Sequence, residues 1–131
     1  MGTWGAGNFD SDTAADHLGE LAGRLVAEVT EAMAGDPVEL EPDEYGGVTV
    51  PCNLELLLVL DRQGWVGVTL PPAELIRTWQ KTFLAVWEAT IDGLEPDPAH
   101  KEERRAVLNE TFERLAEASA VAAGAVVAEA E

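Results

Sequence analysis

Apolar residues recur at steps of three and four along three long stretches of the chain. The first stretch spans residues 13–34, the second residues 73–91, and the third starts near residue 98. Such spacing gathers apolar side chains on one face of an α-helix and leaves charged side chains on the other faces. This face consists of Ala14, Leu18, Leu21, Ala22, Leu25, Val29 and Met33 in the first stretch, Leu75, Ile76, Trp79, Phe83, Val86, Trp87 and Ile91 in the second, and Leu108, Phe112, Leu115, Ser119 and Ala122 in the third. The pattern predicts three long amphipathic helices.

Capping and helix-breaking residues define the ends of these helices. Asp10, Ser11 and Asp12 have side-chain oxygens that can accept from free N–H groups, so the first helix should begin near residue 12. The Gly-Asp-Pro sequence at 35–37 should end it. A Pro-Pro pair precedes the second helix, which Gly93 should end, and an Asp-Pro pair should begin the third.

Three large rings lie on the second helix at i, i+4 and i+8. They are Trp79, Phe83 and Trp87. Such a ladder could line a slot for an aromatic ligand. A place in the core is the stronger interpretation, because three rings on the buried face supply the apolar area that a small bundle needs.

The segment before the first helix combines glycines with two aromatic residues. Glycines at positions 2, 5 and 7 allow unusual backbone angles or close packing. Trp4 and Phe9 carry large apolar surfaces that favour burial. We therefore expect residues 1–11 to form a nonhelical strap, laid over the bundle and pinned by both rings.

Acidic residues dominate the segment 36–47, which contains no base. Its prolines and glycines predict an exposed and mobile loop. The acids are Asp36, Glu39, Glu41, Asp43 and Glu44.

The region that follows this loop supports two interpretations, because a short apolar run does not distinguish a helix from a strand. In the first, Asn53 caps a short helix over residues 54–60 and a loop follows around Gly64. In the second, residues 56–60 and 65–70 form a hairpin, which the valines and threonine of these runs would favour.

The fold class expected from these elements is mainly α. We predict a single domain over residues 1–131, built as a small helical bundle of three long helices with one short helix or hairpin and the nonhelical strap. The alanine-rich end at residues 125–131 should fray.

The chain carries a formal net charge of -17, from 25 acidic residues against 8 Lys and Arg. Phosphate polymers and anionic lipid surfaces bind proteins through cationic side chains, so we expect neither nucleic acid nor a membrane as a partner. The charge is uneven, since residues 1–50 contain eleven acids and a single base, Arg24. A basic protein could be steered toward this half. Solubility is the alternative explanation of the acidity.

The sequence contains no assembled catalytic, cofactor or metal motif. Cys52 is the only cysteine, which excludes an intrachain disulfide, and with only His17 and His100 available it cannot build a zinc cluster. A Glu-x-x-His pair, a nucleophile elbow and a calcium loop are all missing. We therefore predict no catalytic residues, no cofactor and no metal. We also expect a cytoplasmic location, with neither secretion nor membrane insertion.

The first residues resemble the start of the bacterial domain-of-unknown-function family 4259, whose members open with M-G-x-W-G-x-G-x-F-D-x-D. The residues that carry the resemblance are Met1, Gly2, Trp4, Gly5, Gly7, Phe9, Asp10, Asp12, Ala14, Ala15 and Asp16. The resemblance implies a small, mainly helical bacterial cytosolic protein and favours the helical interpretation of residues 53–60. It implies no activity and no functional residues.

These observations predict a noncatalytic protein-binding module, of which an inhibitor- or immunity-like protein is one form. A basic partner would meet a face of the first helix and the acids of the loop, namely Asp36, Glu39, Glu41, Asp43 and Glu44. One alternative is an enzyme or small-ligand binder with a pocket at the strap, whose polar groups would be Asp10, Asp16 and His17. Another is a structural homo-oligomer packed through the aromatic helix.

Overall fold

The computed structural model describes residues 2–130 of the chain, with side chains for residues 2–124. In chain order its elements are helix α1 (Asp12–Ala34), a first 3-10 turn (Pro37–Leu40), α2 (Tyr45–Arg62), α3 (Ala73–Thr90), a second 3-10 turn (Ile91–Leu94) and α4 (Pro98–Ala130). The described residues contain no β-strand, and a single bridge joins Thr3 to Ser11. The prediction of a mainly α bundle with a nonhelical strap is confirmed.

Helix α1 begins where its cap predicts. Ser11 has an extended backbone, and its hydroxyl oxygen accepts a hydrogen bond from the N–H of Ala14 at 3.1 Å. This bond satisfies one of the free N–H groups of the first turn. Leu18, Ala22 and Val29 are buried on the inner face of the helix. The predicted start of this helix is confirmed, and its apolar face is confirmed except at Leu21, which is 38% exposed.

The helices pack in the order α1, α2, α4, α3, with each helix against the next. Their inner faces and the two 3-10 turns build one apolar core. Its buried members are Ala22, Val29, Leu40, Val50, Leu54, Leu57, Leu58, Ile76, Trp79, Phe83, Trp87, Ile91, Leu108, Phe112, Leu115 and Ala116. Burial of these side chains is the main source of stability, because helix propensity alone leaves helices of this length marginal in water.

The aromatic ladder of α3 lies in this core. Trp79, Phe83 and Trp87 are at most 5% exposed, and the ring of Phe83 meets that of Phe112 with centroids 5.6 Å apart. The core interpretation of the ladder is confirmed. The three rings are covered within the chain, and the alternative of a homo-oligomer packed through this helix stays a prediction.

The second helix is longer than either interpretation of its region. Residues 45–62 are helical, so the helical alternative is confirmed and the hairpin is wrong. Asn53 is not a cap: it lies in the middle of α2, 7% exposed, and its amide donates to Glu28 Oε2 at 2.8 Å. The start of α2 at Tyr45 was not predicted, because two glycines and Pro51 are unfavourable in helices.

Those two glycines lie in the first turn of α2 and are buried against the first 3-10 turn. A Cβ at Gly46 would lie 2.7 Å from the carbonyl oxygen of Glu39, and a Cβ at Gly47 would collide with that of Glu41. The glycines are needed for close packing, which outweighs their poor helix propensity.

The acidic segment is shorter and more ordered than the loop predicted for residues 36–47. Asp36 caps the first 3-10 turn by accepting from the N–H of Val38 at 3.0 Å. Leu40 anchors this turn in the core at 1% exposure. The connection therefore ends at Glu44, and α2 begins at the next residue.

The strap is held differently from the expectation. Phe9 is half-buried and stacks on Trp65, but Trp4 is 50% exposed. The indole Nε1 of Trp4 donates to Asp12 Oδ1 at 3.0 Å. Burial of both rings is thus wrong, because an indole can instead anchor the strap through its N–H group.

The last connection and the last helix complete the bundle. Glu95, not Gly93, adopts the left-handed conformation after the second 3-10 turn, with φ of 51°. The side chain of Asp97 accepts from Ala99 N at 2.8 Å, which confirms the predicted cap of α4. The helix extends through Ala130. The fraying predicted for residues 125–131 stays a prediction, because the side chains of residues 125–130 and the whole of residue 131 lie outside the described part of the chain.

Candidate binding site

An open cavity of about 390 Å³ lies where α1, the first 3-10 turn and the start of α2 meet. Four glutamates from these three elements surround it, and we call it the acidic cleft. Its lining residues are Glu28, Glu31, Ala32, Glu39, Glu44, Tyr45, Gly46 and Thr49. A concave site with several convergent polar groups is the usual form of a binding site.

Helix periodicity and close packing bring the glutamates together. Glu28 and Glu31 stand one turn apart on α1, so both face the same side of the helix. Glu39 comes from the 3-10 turn and Glu44 directly precedes α2. The absence of a side chain at Gly46 lets these two segments approach, as its backbone lies against Glu39.

The carboxylates of the cleft have no cationic partner within the described residues. The described salt bridges all lie on α3, the second 3-10 turn and α4, at Asp92–Lys101, Glu88–Arg105, Glu102–Arg105 and Glu110–Arg114. Among the cleft glutamates, Glu28 alone has a polar side-chain partner within the described residues, the neutral amide of Asn53. The cleft therefore has a strongly negative potential that a positive group would neutralise.

Tyr45 adds an aromatic surface to this field. The residue is 85% exposed, more than any other large apolar or aromatic residue described. A tyrosine ring attracts cations through its negative face, and an arginine guanidinium can stack on it while bonding a carboxylate. The cleft thus combines two features that recognise a guanidinium or ammonium group.

The structure separates the five predicted partner-binding residues. Glu39 and Glu44 line the acidic cleft. Asp36 caps the 3-10 turn, Glu41 is half-buried, and Asp43 is exposed; none of these three lines the cleft.

Sequence reasoning missed several lining residues. It named a face of the first helix without identifying Glu28 and Glu31, and it did not name Tyr45 or Thr49 at all. The i, i+3 spacing of the two glutamates near an acidic connection was a usable signal. Nothing in the sequence indicated Tyr45, because its position depends on the unexpected start of α2.

The polar groups of the strap alternative do not converge on a cavity in the described structure. Asp10 Oδ2 accepts from the N–H of Gly7 at 2.9 Å and so organises the strap itself. Asp16 and His17 are exposed on α1. None of the three contributes to the main cavities among the described residues.

Two further cavities lie beside α4. The first, about 560 Å³, is a shallow groove between α3 and α4 lined by Arg77, Gln80, Lys81, Leu84, Asn109, Glu113 and Glu117. It mixes both signs of charge, and its Gln80 amide already donates to Asn109 Oδ1 at 3.1 Å. The second, about 220 Å³, lies between α2 and α4. Neither gathers groups of one chemical kind as the acidic cleft does.

Neither a metal-binding group nor a membrane-spanning helix is found among the described residues. No group of three or more His, Cys, Asp or Glu side chains there is arranged to hold a metal ion. Among the helices of residues 2–130, none combines the length and apolar composition needed to cross a bilayer.

Residues 2–59 match the model of a known family, described as Domain of unknown function (DUF4259). This segment of the chain is similar to that family. No curated protein and no solved structure matches the chain. The DUF4259 match extends from the strap into α2, and all the residues that line the acidic cleft fall within it. The cleft is therefore formed by this segment alone, without a lining residue from α3 or α4.

Proposed function

We propose that this protein is a noncatalytic recognition module, and that its acidic cleft binds a basic segment of a partner protein. The observation that carries the proposal is that four glutamates and the exposed Tyr45 line one cavity, with no cation of the described chain among them. Isolated surface carboxylates have little binding value. A group that shares one cavity can act together on one ligand.

The chemistry of the cleft favours arginine as the recognised side chain. Guanidinium groups form paired hydrogen bonds with carboxylates and stack on aromatic rings, whereas an ammonium group acts as a point charge. Glu31 and Glu39 would supply oxygens, and the ring of Tyr45 would supply the stacking surface. The high negative charge of the chain would also speed the encounter with a basic partner at low salt.

The residues that line the cleft support binding over nucleophilic chemistry. Within the described structure they include neither histidine nor cysteine nor serine, and the hydroxyl groups belong to Thr49 and Tyr45. A hydroxyl nucleophile requires an adjacent base held in a defined geometry. An open, solvated cavity with exposed glutamates is better suited to hold a mobile basic side chain.

A labelled arginine-rich peptide tests the proposal directly. The full chain would be titrated into fluorescent Arg-Gly peptide, with Lys-Gly and Gln-Gly peptides of equal length as comparisons, and anisotropy recorded. We expect the order arginine, lysine, glutamine, and an affinity that falls as salt is raised. Replacing both Glu31→Gln and Glu39→Gln should weaken binding about tenfold, at about 0.7 kcal/mol for each lost contact.

A matched control separates the cleft from general charge. The double variant Glu20→Gln and Glu103→Gln removes the same two charges from exposed positions on α1 and α4. It should leave the affinity nearly unchanged. Equal weakening by both double variants would show that only net charge matters, and the cleft would lose its role.

The biological setting is proposed on narrower grounds. An inhibitor- or immunity-like protein is one form of such a module, in which the basic segment belongs to a toxin or an enzyme. A bacterial cytoplasmic location is in keeping with the single exposed thiol of Cys52, which a reducing compartment would preserve. We propose neither nucleic acid nor an anionic membrane as the partner, because the surface would repel both.

A further inference from the structure

Helix α2 carries an apolar stripe on the face that points away from the bundle. The stripe consists of Tyr45, Val48, Cys52, Leu56 and Val59. All five are exposed: Tyr45 by 85%, and the valines and leucine by about half. The opposite face of α2 packs on α1 and α4. No described residue of the chain covers the stripe.

The spacing of the stripe is symmetric about Cys52. Tyr45 and Val59 lie seven residues from it on either side, and Val48 and Leu56 lie four residues from it. Steps of three, four and seven keep side chains on one helical face, as in the contact line of a coiled coil. A two-fold axis at Cys52 would therefore place Val48 against Leu56 of a second copy, and Tyr45 against Val59.

Charge complements this pairing. Arg62 and Glu44 are eighteen residues apart, which is five full helical turns, so they lie on the same flank of the stripe. In an antiparallel pair related by a two-fold axis, equal flanks face each other. Arg62 of each copy would then lie within reach of Glu44 of the other. Both residues are exposed, and Arg62 has no ion-pair partner among the described residues.

We propose that the protein forms a symmetric homodimer through antiparallel packing of α2 on α2, with the two-fold axis at Cys52. A symmetric interface must be self-complementary, and the stripe meets this condition in both its apolar positions and its charged ends. The dimer requires no ligand in the acidic cleft. The two surfaces share Glu44 and Tyr45, so the dimer would compete with a peptide for these two residues.

The sign of the salt effect distinguishes this dimer from binding in the cleft. Two copies of net charge -17 repel each other, and salt screens that repulsion. An apolar contact is also strengthened by salts that are excluded from protein surfaces. Dimerisation should therefore become stronger as salt is raised, whereas the arginine-rich peptide should bind more weakly.

Sedimentation equilibrium of the full chain over a range of concentrations and salt tests the proposal. We expect a dimer whose dissociation constant falls with added salt. The double variant Leu56→Gln and Val59→Gln should raise that constant about tenfold or more, since each change removes apolar area from the contact. Leu75→Gln, at a comparably exposed leucine on α3, should leave it unchanged.

Crosslinking at Cys52 tests the position of the axis. Each of the two rings of a short bismaleimide reacts with one thiol, so one reagent molecule can join two cysteines. A dimer in which the two Cys52 side chains face each other should therefore be crosslinked at a low reagent concentration. Moving the thiol by Cys52→Ala and Thr78→Cys should abolish efficient capture, because Thr78 is exposed on α3. A monomer at all concentrations and salts would overturn the proposal. So would a dimer unaffected by the Leu56 and Val59 changes.

The glutamate variants separate the two proposals. Glu31→Gln with Glu39→Gln should leave the dimer intact while it weakens peptide binding, because neither residue belongs to the stripe. The stripe variant should weaken the dimer without weakening peptide binding, because it frees Glu44 and Tyr45 for the peptide. If one of the two double variants does not behave as expected, the other still tests its own proposal.

Discussion

Phe9 stacks on Trp65, with ring centroids 4.1 Å apart and ring planes inclined by 18°. The contact joins the N-terminal strap to the connection between α2 and α3, which are distant in sequence. Close beside it, Gly67 has φ of 123° and lies against the backbone carbonyl of Ala15, where a Cβ would not fit. Stacked rings and a close backbone approach together hold both irregular segments against the start of α1.

Removal of the Phe9 ring should destabilise the protein. Phe9→Ala loses the stacked pair and the apolar area that Phe9 buries, so we expect a loss of about 1–2 kcal/mol in the free energy of unfolding. Urea unfolding followed by circular dichroism measures this loss. Asn8→Ala, at the exposed neighbour, is the control and should change stability little. Equal stability of the two variants would mean that the stacked rings do not hold the strap.

A methyl group at Gly47 should be much more costly than one at Gly23. Gly47→Ala drives its Cβ into the carbonyl oxygen of Glu41, a backbone atom that cannot move aside, so we expect a loss of about 3 kcal/mol. Gly23 lies on the exposed side of α1 with open space around it, so Gly23→Ala should gain about 0.5–1 kcal/mol from helix propensity. Thermal unfolding of both variants gives the comparison. A Gly47→Ala variant as stable as the parent would refute the close approach of α2 and the 3-10 turn.

A carboxylate at position 53 should make stability depend on pH. The amide of Asn53 donates to Glu28 Oε2 at 2.8 Å and lies 3.4 Å from the carbonyl oxygen of Leu25. In Asn53→Asp, burial and the charge of Glu28 would raise the pKa of the new carboxyl above its unfolded value. The variant is then most stable at pH values below the pKa that this carboxyl has in the unfolded chain. Its stability falls as pH rises through the pKa that the carboxyl has in the folded protein. We expect a deficit of about 2–4 kcal/mol at pH 7.

The uncharged variant Asn53→Ala provides the comparison for this pH effect. It loses the same hydrogen bonds but gains no titratable group, so its deficit of about 1–2 kcal/mol should not change with pH. Urea unfolding of both variants at pH 4 and pH 7 separates the two behaviours. If the deficit of Asn53→Asp is the same at both values, the side chain does not face Glu28.

Glu88 should contribute stability that is lost in acid. Arg105 donates to both of its carboxylate oxygens, at 2.5 and 3.0 Å, which holds the pKa of Glu88 below its ordinary value. The contribution is therefore complete above the unfolded pKa and disappears as pH falls through the lower folded pKa. Glu88→Gln should destabilise the protein near neutral pH by less than Gly47→Ala does, because the pair is solvated.

The difference in the free energy of unfolding between the parent protein and Glu88→Gln should shrink toward zero in acid. Unfolding curves collected from neutral pH down to pH 3 measure it, and Glu103→Gln on the exposed face of α4 serves as the control. A difference that grows in acid would have the wrong sign for a carboxyl with a lowered pKa.

Much of the helical framework was predictable because its signals are local. Ser11 was among the residues expected to cap α1, and Asp97 caps α4 as expected, since a cap depends on a few neighbouring residues. Trp79, Phe83 and Trp87 were assigned to the core from their spacing alone. Helix α2 was only partly predicted, because Pro51 and the glycines of its first turn obscure a helix that packing stabilises.

The candidate site was predicted only in outline. The sequence indicated an acidic N-terminal half and named Glu39 and Glu44, which do line the cleft. It also named Asp36, Glu41 and Asp43, which do not, because sequence proximity does not determine which carboxylates share a cavity. Glu28 and Tyr45 join the site only through the packing of α1 against α2.

By itself, the amino-acid sequence determined the helical class, the main apolar faces, the caps and the excess of negative charge, because each of these depends on residue type and short spacing. Only the tertiary structure decided that four glutamates from three elements share one cleft, that the stripe of α2 stays uncovered, and that Trp4 remains half exposed. These outcomes depend on how closely the segments pack. Here that distance is determined by contacts such as Gly46 against Glu39, between residues that no periodic pattern relates.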